Sequence, residues 1–274
     1  MKRACILYKK EDAAKNRVLI NKYFAALRRN GYSPSLIISD RLPREAVLRM
    51  AEGARFVVNR TRDHALAGYL EAAGFLVTNP SILNETANDK LLTYERLKDA
   101  VPMLETLPLP DEGEPPLPYP FAAKPAGGHG GAGVELIRSR AELDAYRARG
   151  LERTLVQPVA TETGRDMRVY VVGGRPAAAM LRTSSVDFRS NYSLGGRAEA
   201  VPVSSLREDE LRIIEAVCAA LPVDYAGVDI MRDHGRAVLN EIEDPVGARM
   251  LYTYTDADPA LLHIEYTISK ENRI

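Results

Sequence analysis

The chain has 274 residues, 46% of them hydrophobic and 27% charged, and its formal net charge at pH 7 is zero. This composition predicts a globular protein with two or three lobes, and the balanced charge argues against general binding of nucleic acid or membrane surfaces. No stretch has the roughly 18 apolar residues of a membrane span or the features of a signal peptide, and only two cysteines occur, Cys5 and Cys218. Both lie in apolar segments, so we expect packed thiols rather than a disulfide, and a cytoplasmic location.

Over residues 1–82, apolar runs alternate with segments of helical spacing. The runs lie at 4–8, 35–39, 54–59 and 75–80, and the helical segments at 13–30, 43–52 and 63–73. This alternation predicts a doubly wound α/β lobe with a parallel sheet. Ligands favour the carboxyl ends of such strands. In the loop at 59–64, Arg60 and Arg62 therefore either meet an anion or are solvated loop arginines.

The remainder of the chain predicts α+β structure with antiparallel sheet. A helical segment at 84–99 leads to residues 107–120, whose six prolines predict a semi-rigid linker or surface loop. Strands are predicted at 121–124, 133–138, 154–159, 167–173 and 176–183, helices at 140–149 and 206–221, and a hairpin at 225–243. We therefore expect a second domain at 83–274, with a connection at 83–120 and lobes at 121–158 and 159–274.

Residues 127–133, GGHGGAG, contain five glycines. Without Cβ atoms, the backbone N–H groups of such a loop can approach phosphate oxygens closely. The loop runs from one predicted strand into another, which disfavours a Rossmann fingerprint and favours a flap over a nucleotide. A mobile surface hairpin is the alternative. Lys90, at a predicted helix start, and Lys124, on the strand before the loop, would add positive charge or are surface lysines.

Residues 155–174 predict a strand interrupted by Pro158, a short loop and a strongly apolar strand. The interruption leaves backbone groups unpaired, as an adenine ring requires. Asp166 could accept hydrogen bonds from ribose hydroxyls. Arg168 and Arg182, on adjacent predicted strands, could face phosphate or a substrate carboxylate, although an arginine considered alone is more typical of a surface salt bridge.

Residues 227–244, GVDIMRDHGRAVLNEIED, predict two strands joined by a tight turn. Strand alternation places Glu241 and Glu243 on one face, and pairing about the turn places Asp229 opposite Glu241, within one residue. Gathered carboxylates repel unless a cation neutralises them, and an all-oxygen set suits Mg²⁺. A solvated acidic strand face is the alternative.

The order of these motifs resembles the ATP-grasp superfamily, and most closely its RimK-like branch of carboxylate–amine ligases. The motifs are Asn88-Asp89-Lys90, Lys124 with the glycine loop, Gln157-Pro158-Val159 with GRDMR, Arg182, FRSN with a glycine pair, GVD and NEIE. The resemblance runs from the loop at 59–64 to Glu243. The run FRSN with its glycine pair and the spaced GVD and NEIE are its most specific parts.

The resemblance implies an acyl-phosphate mechanism in which ATP lies between two lobes. ATP would be bound by Lys90 and Lys124 at the phosphates, by a flap of Gly127, Gly128, Gly130, Gly131 and Gly133, by Gln157, Pro158 and Val159 at adenine, and by Asp166 at ribose. Two Mg²⁺ ions, for which Mn²⁺ could substitute, would be held by Asp229, Glu241 and Glu243. The transferred phosphate would be met by Arg168, Arg182 and Arg189, with Asn191 beside the metal ions.

Two departures from the family pattern concern the substrates. Glu243 stands where an Asn is customary, and DPVGARMLY replaces a loop of small residues. Arg60 and Arg249 are the candidate substrate residues, and the expected partners are ATP, a carboxylate and an amine from an amino acid or peptide. A homo-oligomer is left open. The alternative functions are a small-molecule kinase on the same fold and a non-catalytic ATP-binding module.

Overall fold

The computed structural model describes residues 1–184 and 197–273, and it begins with a parallel sheet. The elements of this first lobe are β1 (Lys2–Tyr8), α1 (Lys10–Lys15), α2 (Arg17–Arg29), β2 (Tyr32–Ile38), α3 (Arg44–Ala51), β3 (Ala54–Asn59), α4 (His64–Ala72) and β4 (Val77–Thr78). The strand order is β2-β1-β3-β4. The predicted doubly wound lobe is confirmed. The predicted helix at 13–30 is two helices that meet at Asn16, and α2 ends before Gly31, whose φ is 81°.

A second, antiparallel sheet carries the glycine loop. Its strands and neighbouring helices are α5 (Ser81–Ala87), α6 (Lys90–Leu97), β5 (Leu107–Pro108), β6 (Phe121–Pro125), β7 (Glu135–Ile137), α7 (Arg140–Arg147) and β8 (Thr154–Pro158), with strand order β5-β8-β6-β7. The proline-rich segment contributes only the edge strand β5, as expected for a residue that lacks an N–H. The predicted helix at 84–99 is two helices, because the Asp89 side chain caps α6 by accepting from the N–H groups of Leu91 and Leu92.

The third sheet is antiparallel and five-stranded. Its elements are β9 (Glu162–Val172), β10 (Arg175–Thr183), β11 (Arg197–Val201), α8 (Glu208–Ala220), β12 (Tyr225–Asp233) and β13 (Arg236–Glu243), with strand order β11-β10-β9-β12-β13. Alternate residues such as Val169, Val171 and Val228 pack under Ile213 and Val217 of α8. The opposite face of β9, β10 and β12 is left for the polar residues described below.

Two further helices, α9 (Arg249–Tyr254) and α10 (Pro259–Glu271), follow the acidic hairpin and were not predicted. Ala260 and Ile264 of α10 pack with Leu19 and Tyr23 of α2 on the first sheet. The end of the described chain thus covers one face of the first lobe, while α3 and α4 cover the other. The predicted arrangement of an α/β lobe and a two-lobed α+β part is confirmed, and its exact boundaries stay a prediction.

In residues 1–184 and 197–273, no helix combines the length and apolar character needed to cross a membrane.

Candidate active site

One face of the five-stranded sheet carries a row of charged side chains. In register across neighbouring strands, Arg182 pairs with Asp166, and Arg168 pairs with Asp229. Asp229 in turn pairs with Glu241 of β13. The predicted position of Asp229 opposite Glu241 is therefore confirmed. These residues alternate with the apolar residues under α8, so their side chains lie on the other face.

Asp229 is the centre of a buried network of ion pairs. Its side chain is 0% exposed, its Oδ1 accepts from Arg168 Nε at 2.7 Å, and its Oδ2 accepts from Nη2 of both Arg168 and Arg182 at 2.6 Å. Burial alone would raise the pKa of Asp229, but the two guanidinium groups lower it to about 2. Arg182 also donates from Nε to Asp166 at 2.6 Å, and Arg168 contacts Glu243. Asp166, which was predicted to bind the ribose, thus forms an ion pair with Arg182. Its role at the ribose stays a prediction.

Asp229, Glu241 and Glu243 form a cluster with the composition of a magnesium site. One carboxylate oxygen from each lies within 4.8 Å of the other two. Oδ2 of Asp229 accepts two hydrogen bonds, whereas Oδ1 accepts one and has a further lone pair. Burial and the charges of Asp229 and Glu241 raise the pKa of Glu243 against the opposing effect of Arg168, and a divalent cation would relieve that repulsion. The three residues therefore fit Mg²⁺, which binds a few carboxylates and completes its shell with water and phosphate oxygens.

Two lysines approach this cluster from other elements. Lys90 begins α6, and its Nζ donates to the carbonyl of Gly128 and lies 3.7 Å from Glu241 Oε2. Lys124, on β6, is 8% exposed. Burial lowers the pKa of Lys124 to about 8, and the charge of Lys90 adds to that effect while Glu241 opposes it. Two neighbouring positive charges in a partly enclosed cleft suit a polyphosphate.

The glycine loop joins β6 to β7, strand to strand as predicted. Gly130, Gly131 and Gly133 have positive φ angles of 63°, 80° and 72°. A Cβ at Gly133 would also lie 2.9 Å from Pro125 Cγ, so only glycine lets the loop return over its own strand. The contact between Lys90 and the carbonyl of Gly128 ties the loop to the start of α6.

A cleft of about 900 Å³, part of it open to solvent, lies between the second and third sheets. The predicted site residues that line it are Lys90, Lys124, Gly128, Gly130, Gly131, Gln157, Pro158, Val159, Asp166, Arg182 and Glu241. Leu104, Ala122 and Met231 add an apolar wall of the kind that an adenine ring requires. Gln157 donates from Nε2 to Thr106 Oγ1 at 2.5 Å, so its side chain is engaged within the protein.

The remaining predicted residues lie elsewhere. Gly127 and Gly133 belong to the glycine loop but not to the lining of the cleft. Arg60 is buried beside the loop that follows Glu243, and Arg249 is exposed at the start of α9. Arg189 and Asn191 lie outside the described residues.

A buried hydrogen-bond centre directly after the hairpin was missed by the sequence analysis. The carboxylate of Asp244 accepts from Asn79 Nδ2 at 2.5 Å and from Asn84 Nδ2 at 2.7 Å. Asn88 Nδ2 donates to the Asp244 backbone carbonyl at 2.7 Å. The first lobe and α5 thereby hold the loop after Glu243. The sequence contains one indication of this cluster, because Asn84 and Asn88 are spaced one helical turn apart and therefore lie on the same face of a helix.

Fold and cleft together define an ATP-grasp protein. A D-alanine–D-alanine ligase from Bacillus anthracis, solved in complex with ATP, superposes with a TM-score of 0.76 over 100% of this chain and 98% of that chain. The two sequences are 15% identical, so this likeness concerns the fold alone.

The family follows from the sequence comparisons. The model of the RimK-like ATP-grasp domain matches residues 112–266. Human N-acetylaspartylglutamate synthase A is 32% identical over 229 residues, which are 77% of this chain and 57% of that protein. A probable alpha-L-glutamate ligase from Parasynechococcus marenigrum is 39% identical over 113 residues, 40% of this chain and 24% of that protein. The chain thus spans about a quarter to somewhat over half the length of these two relatives. It belongs to the RimK-like ATP-grasp family, and the predicted resemblance is confirmed.

Proposed function

We propose that this protein is an ATP-dependent carboxylate–amine ligase that works through an acyl phosphate. The observation that carries the proposal is that Lys90 and Lys124 line one cleft of a RimK-like fold together with Glu241, which belongs to the cluster of Asp229, Glu241 and Glu243. The cleft thus combines positive charge for a polyphosphate, oxygen ligands for its metal ion and an apolar wall for the base. A cytoplasmic location is part of the proposal, in keeping with the free thiols of Cys5 and Cys218.

In the proposed complex, ATP would lie along the cleft in one direction. The base would lie against Leu104, Ala122 and Met231, beside the backbone of 157–159. The phosphates would extend toward Lys124 and Lys90, where the glycine loop can close over them. This arrangement would bring the γ-phosphate to the end of the cleft that contains Glu241.

Asp229, Glu241 and Glu243 would hold Mg²⁺, and we propose two ions there, with Mn²⁺ able to substitute. When bound, Mg²⁺ neutralises phosphate charge during transfer. Arg182 lines the cleft next to this cluster, and its ion pairs with Asp166 and Asp229 hold its guanidinium fixed. A fixed guanidinium needs no reorganisation as charge shifts toward the transferred phosphate.

The reaction that these groups would support has two steps. A carboxylate oxygen of the acid attacks the γ-phosphorus, the bond to ADP breaks, and an acyl phosphate forms. The amine then attacks the carbonyl carbon, phosphate leaves with the bonding electron pair, and the amine loses a proton. The protein contributes orientation and charge, because neither step requires a side-chain nucleophile.

The amine substrate that we propose is an amino acid or a short peptide, with L-glutamate as the first candidate. The names of both curated relatives contain glutamate. The loop after Glu243 departs from the family pattern, so acids and amines must be screened as pairs. A homo-oligomer is left open, and the mass of the purified protein in solution would test it.

Phosphate release should depend on both substrates. We expect purified protein with Mg-ATP to release phosphate at least about tenfold faster when the right acid and amine are present together than with either alone. The screen pairs amino acids and dipeptides and measures free phosphate and coupled product. A phosphorylated product formed without any amine would instead identify a kinase, and nucleotide binding without turnover for any pair would identify a binding module.

The affinity for ATP should weaken as the pH rises through about 8, because Lys124 has a pKa of about 8 in the free protein. Bound phosphates favour the protonated lysine, so above that pKa the Kd should rise by up to about tenfold per pH unit. Calorimetric titration with a non-hydrolysable ATP analogue between about pH 7 and pH 9 measures this.

Lys124→Arg is the matched control, because arginine stays charged throughout that range. Its Kd should vary much less with pH. A wild-type Kd that is constant across the range would mean that Lys124 does not contact the phosphates.

A further inference from the structure

A second pocket lies beside the glycine loop and shares no lining residue with the cleft between the second and third sheets. It has a volume of about 910 Å³, part of it open to solvent, which is in the usual range of small-molecule sites. Its apolar walls come from Leu91, Leu109, Leu151 and Tyr146. The proposed reaction uses none of these side chains, so the ligase mechanism leaves this pocket without a role.

Arg147 brings an incompletely balanced positive charge to the second pocket. Its side chain is 17% exposed, its Nη2 donates to the carbonyl of Pro110 at 2.6 Å, and its Nη1 lies 3.8 Å from Asp144 Oδ1, too far for a hydrogen bond. The Asp144 carboxylate accepts from Arg140 Nε, at 2.9 Å and 3.1 Å. A partly buried guanidinium that shares its counter-ion with another arginine favours the binding of a further anion.

The charges around the pocket favour an anion with one negative charge. The other lining arginine, Arg153, is already paired with Asp89 at 2.5 Å, and Asp111 adds a negative charge to the pocket wall. The positive charge available to a ligand is therefore small. A carboxylate matches it, whereas a phosphate with about 1.5 to 2 negative charges would exceed it. The leucine side chains of the walls favour a carboxylate that is attached to an apolar body.

Residues that line this pocket also hold both ends of the glycine loop. Directly before the loop, the carbonyl of Arg153 accepts from the N–H of Ala126 at 2.8 Å. At the end of the loop, the hydroxyl of Tyr146 donates to the carbonyl of Gly133 at 2.9 Å. A molecule packed against Tyr146 and Arg153 would therefore act on both anchors of the loop.

The same wall reaches the start of α6. The carbonyl of Ala126 accepts from the N–H of Lys90 at 3.0 Å. The guanidinium of Arg153 pairs with Asp89, whose side chain caps α6. The position of Lys90, which we propose to contact the phosphates of ATP, is thus linked to the second pocket by hydrogen bonds and an ion pair.

We propose that the second pocket binds a monocarboxylate with an apolar body, whose carboxylate pairs with Arg147, and that this ligand strengthens ATP binding through the glycine loop. A bound ligand restricts the motion of Tyr146 and Arg153, so the loop has less conformational freedom to lose when ATP binds. The binding of the carboxylate does not rest on the proposed ligase function, and the coupling rests only on the binding of ATP.

Calorimetric titration of the full chain tests the site with octanoate as the probe. Octanamide has the same body without the charge, acetate has the charge without the body, and inorganic phosphate represents the other class of anion. We expect octanoate to bind, and octanamide and acetate to bind at least about tenfold more weakly. No binding of octanoate, equal binding of octanoate and octanamide, or tighter binding of phosphate would overturn the proposal.

Arg147→Gln should lower the affinity for octanoate to that for octanamide, because the charge that pairs with the carboxylate is removed. Arg138→Gln is the matched control and should bind both probes as wild type does, since Arg138 is exposed in the same lobe and does not line the pocket. If Arg147→Gln still bound octanoate much more tightly than octanamide, the carboxylate would have another partner and the assignment would be wrong.

Asp111→Asn provides a second variant in case Arg147→Gln does not fold, because Asp111 is exposed. Removal of its negative charge should strengthen octanoate binding about two- to fivefold and leave octanamide binding unchanged. Glu112→Gln, which changes a neighbouring exposed charge outside the pocket lining, should have a smaller effect. The same octanoate affinity in Asp111→Asn and wild type would contradict the placement of the carboxylate in this pocket.

The coupling is measured by titration with a non-hydrolysable ATP analogue and Mg²⁺, with and without saturating octanoate. We expect octanoate to lower the Kd of the analogue about fivefold in wild type and to have no effect in Arg147→Gln. An unchanged Kd in wild type would refute the coupling, and a raised Kd would show that octanoate competes in the cleft. If the chain bound octanoate but not the analogue, the proposed ligase function would fail while the carboxylate site would stand.

Discussion

Glu241→Gln is expected to abolish turnover while the protein stays folded. Glu241 is partly exposed, with 24% of its side chain accessible, and its ion-pair partner is Lys90 at 3.7 Å. Lys90 keeps its hydrogen bond to the Gly128 carbonyl when this charge is removed, but a neutral amide then replaces one of the three carboxylates of the acidic cluster. Loss of metal-assisted charge neutralisation costs several kcal/mol in the transition state, which predicts a fall in kcat of at least about a hundredfold.

The measurement is phosphate release as a function of Mg²⁺ concentration, with thermal unfolding recorded in parallel. Glu162→Gln is the matched control, because Glu162 also lines the cleft but lies outside the acidic cluster. The control should retain most of its activity and its wild-type Mg²⁺ dependence. Full activity in Glu241→Gln at ordinary Mg²⁺ concentrations would refute the assignment of the cluster as the metal site.

Asp229→Asn is expected to cost about 3–5 kcal/mol of folding stability in addition to activity, because it leaves two buried arginines without their shared counter-charge. Arg168 and Arg182 both donate to this fully buried carboxylate. Urea unfolding at neutral pH measures the loss. Glu243→Gln is the comparison, since Glu243 is partly exposed and contacts only one of these arginines, and it should cost much less.

The same network predicts how stability responds to acid. The folded-state pKa of Asp229 is lowered to about 2 from an ordinary value of 3.8, so its contribution is present above about pH 4 and is lost as the pH falls toward 2. The wild type should lose stability over this window more steeply than Asp229→Asn. Equal stability of the two proteins at neutral pH would show that the arginines do not depend on Asp229.

The acidic hairpin is the part of the site that could be predicted most directly. Strand alternation and the turn at His234-Gly235 place Asp229 opposite Glu241 to within one residue, and a register shift between Asp229 and Ile230 produces that pairing in the structure. These are local rules with a period of two, so a short sequence is enough to apply them. The strand-to-strand context of the glycine loop was predictable on the same grounds.

The partners of the buried charges could not be predicted in the same way. That Asp229 is shared by Arg168 and Arg182 depends on the order of three strands that are not consecutive along the chain. The sequence therefore suggested ribose hydroxyls as the partners of Asp166, whereas its carboxylate forms an ion pair with Arg182.

The break between α5 and α6 and the place of α10 illustrate two different limits of sequence reasoning. Helical periodicity continues across Asn88-Asp89, and only the capping bonds of Asp89 show that a second helix begins there. The packing of α10 on the first sheet joins residues far apart in sequence, which no local pattern specifies. The enclosure of Arg60 follows from the same long-range packing, so the sequence alone left its loop open between an anion site and solvated arginines.

The most direct test of the ligase proposal follows an oxygen atom. With the acid and amine pair that stimulates phosphate release, the acid is supplied with its carboxylate labelled with ¹⁸O, and the released phosphate is analysed by mass spectrometry. An acyl-phosphate mechanism predicts that one ¹⁸O atom passes from the acid to phosphate for each bond formed. Unlabelled phosphate alongside coupled product would contradict the account, because the carboxylate would then not have been phosphorylated.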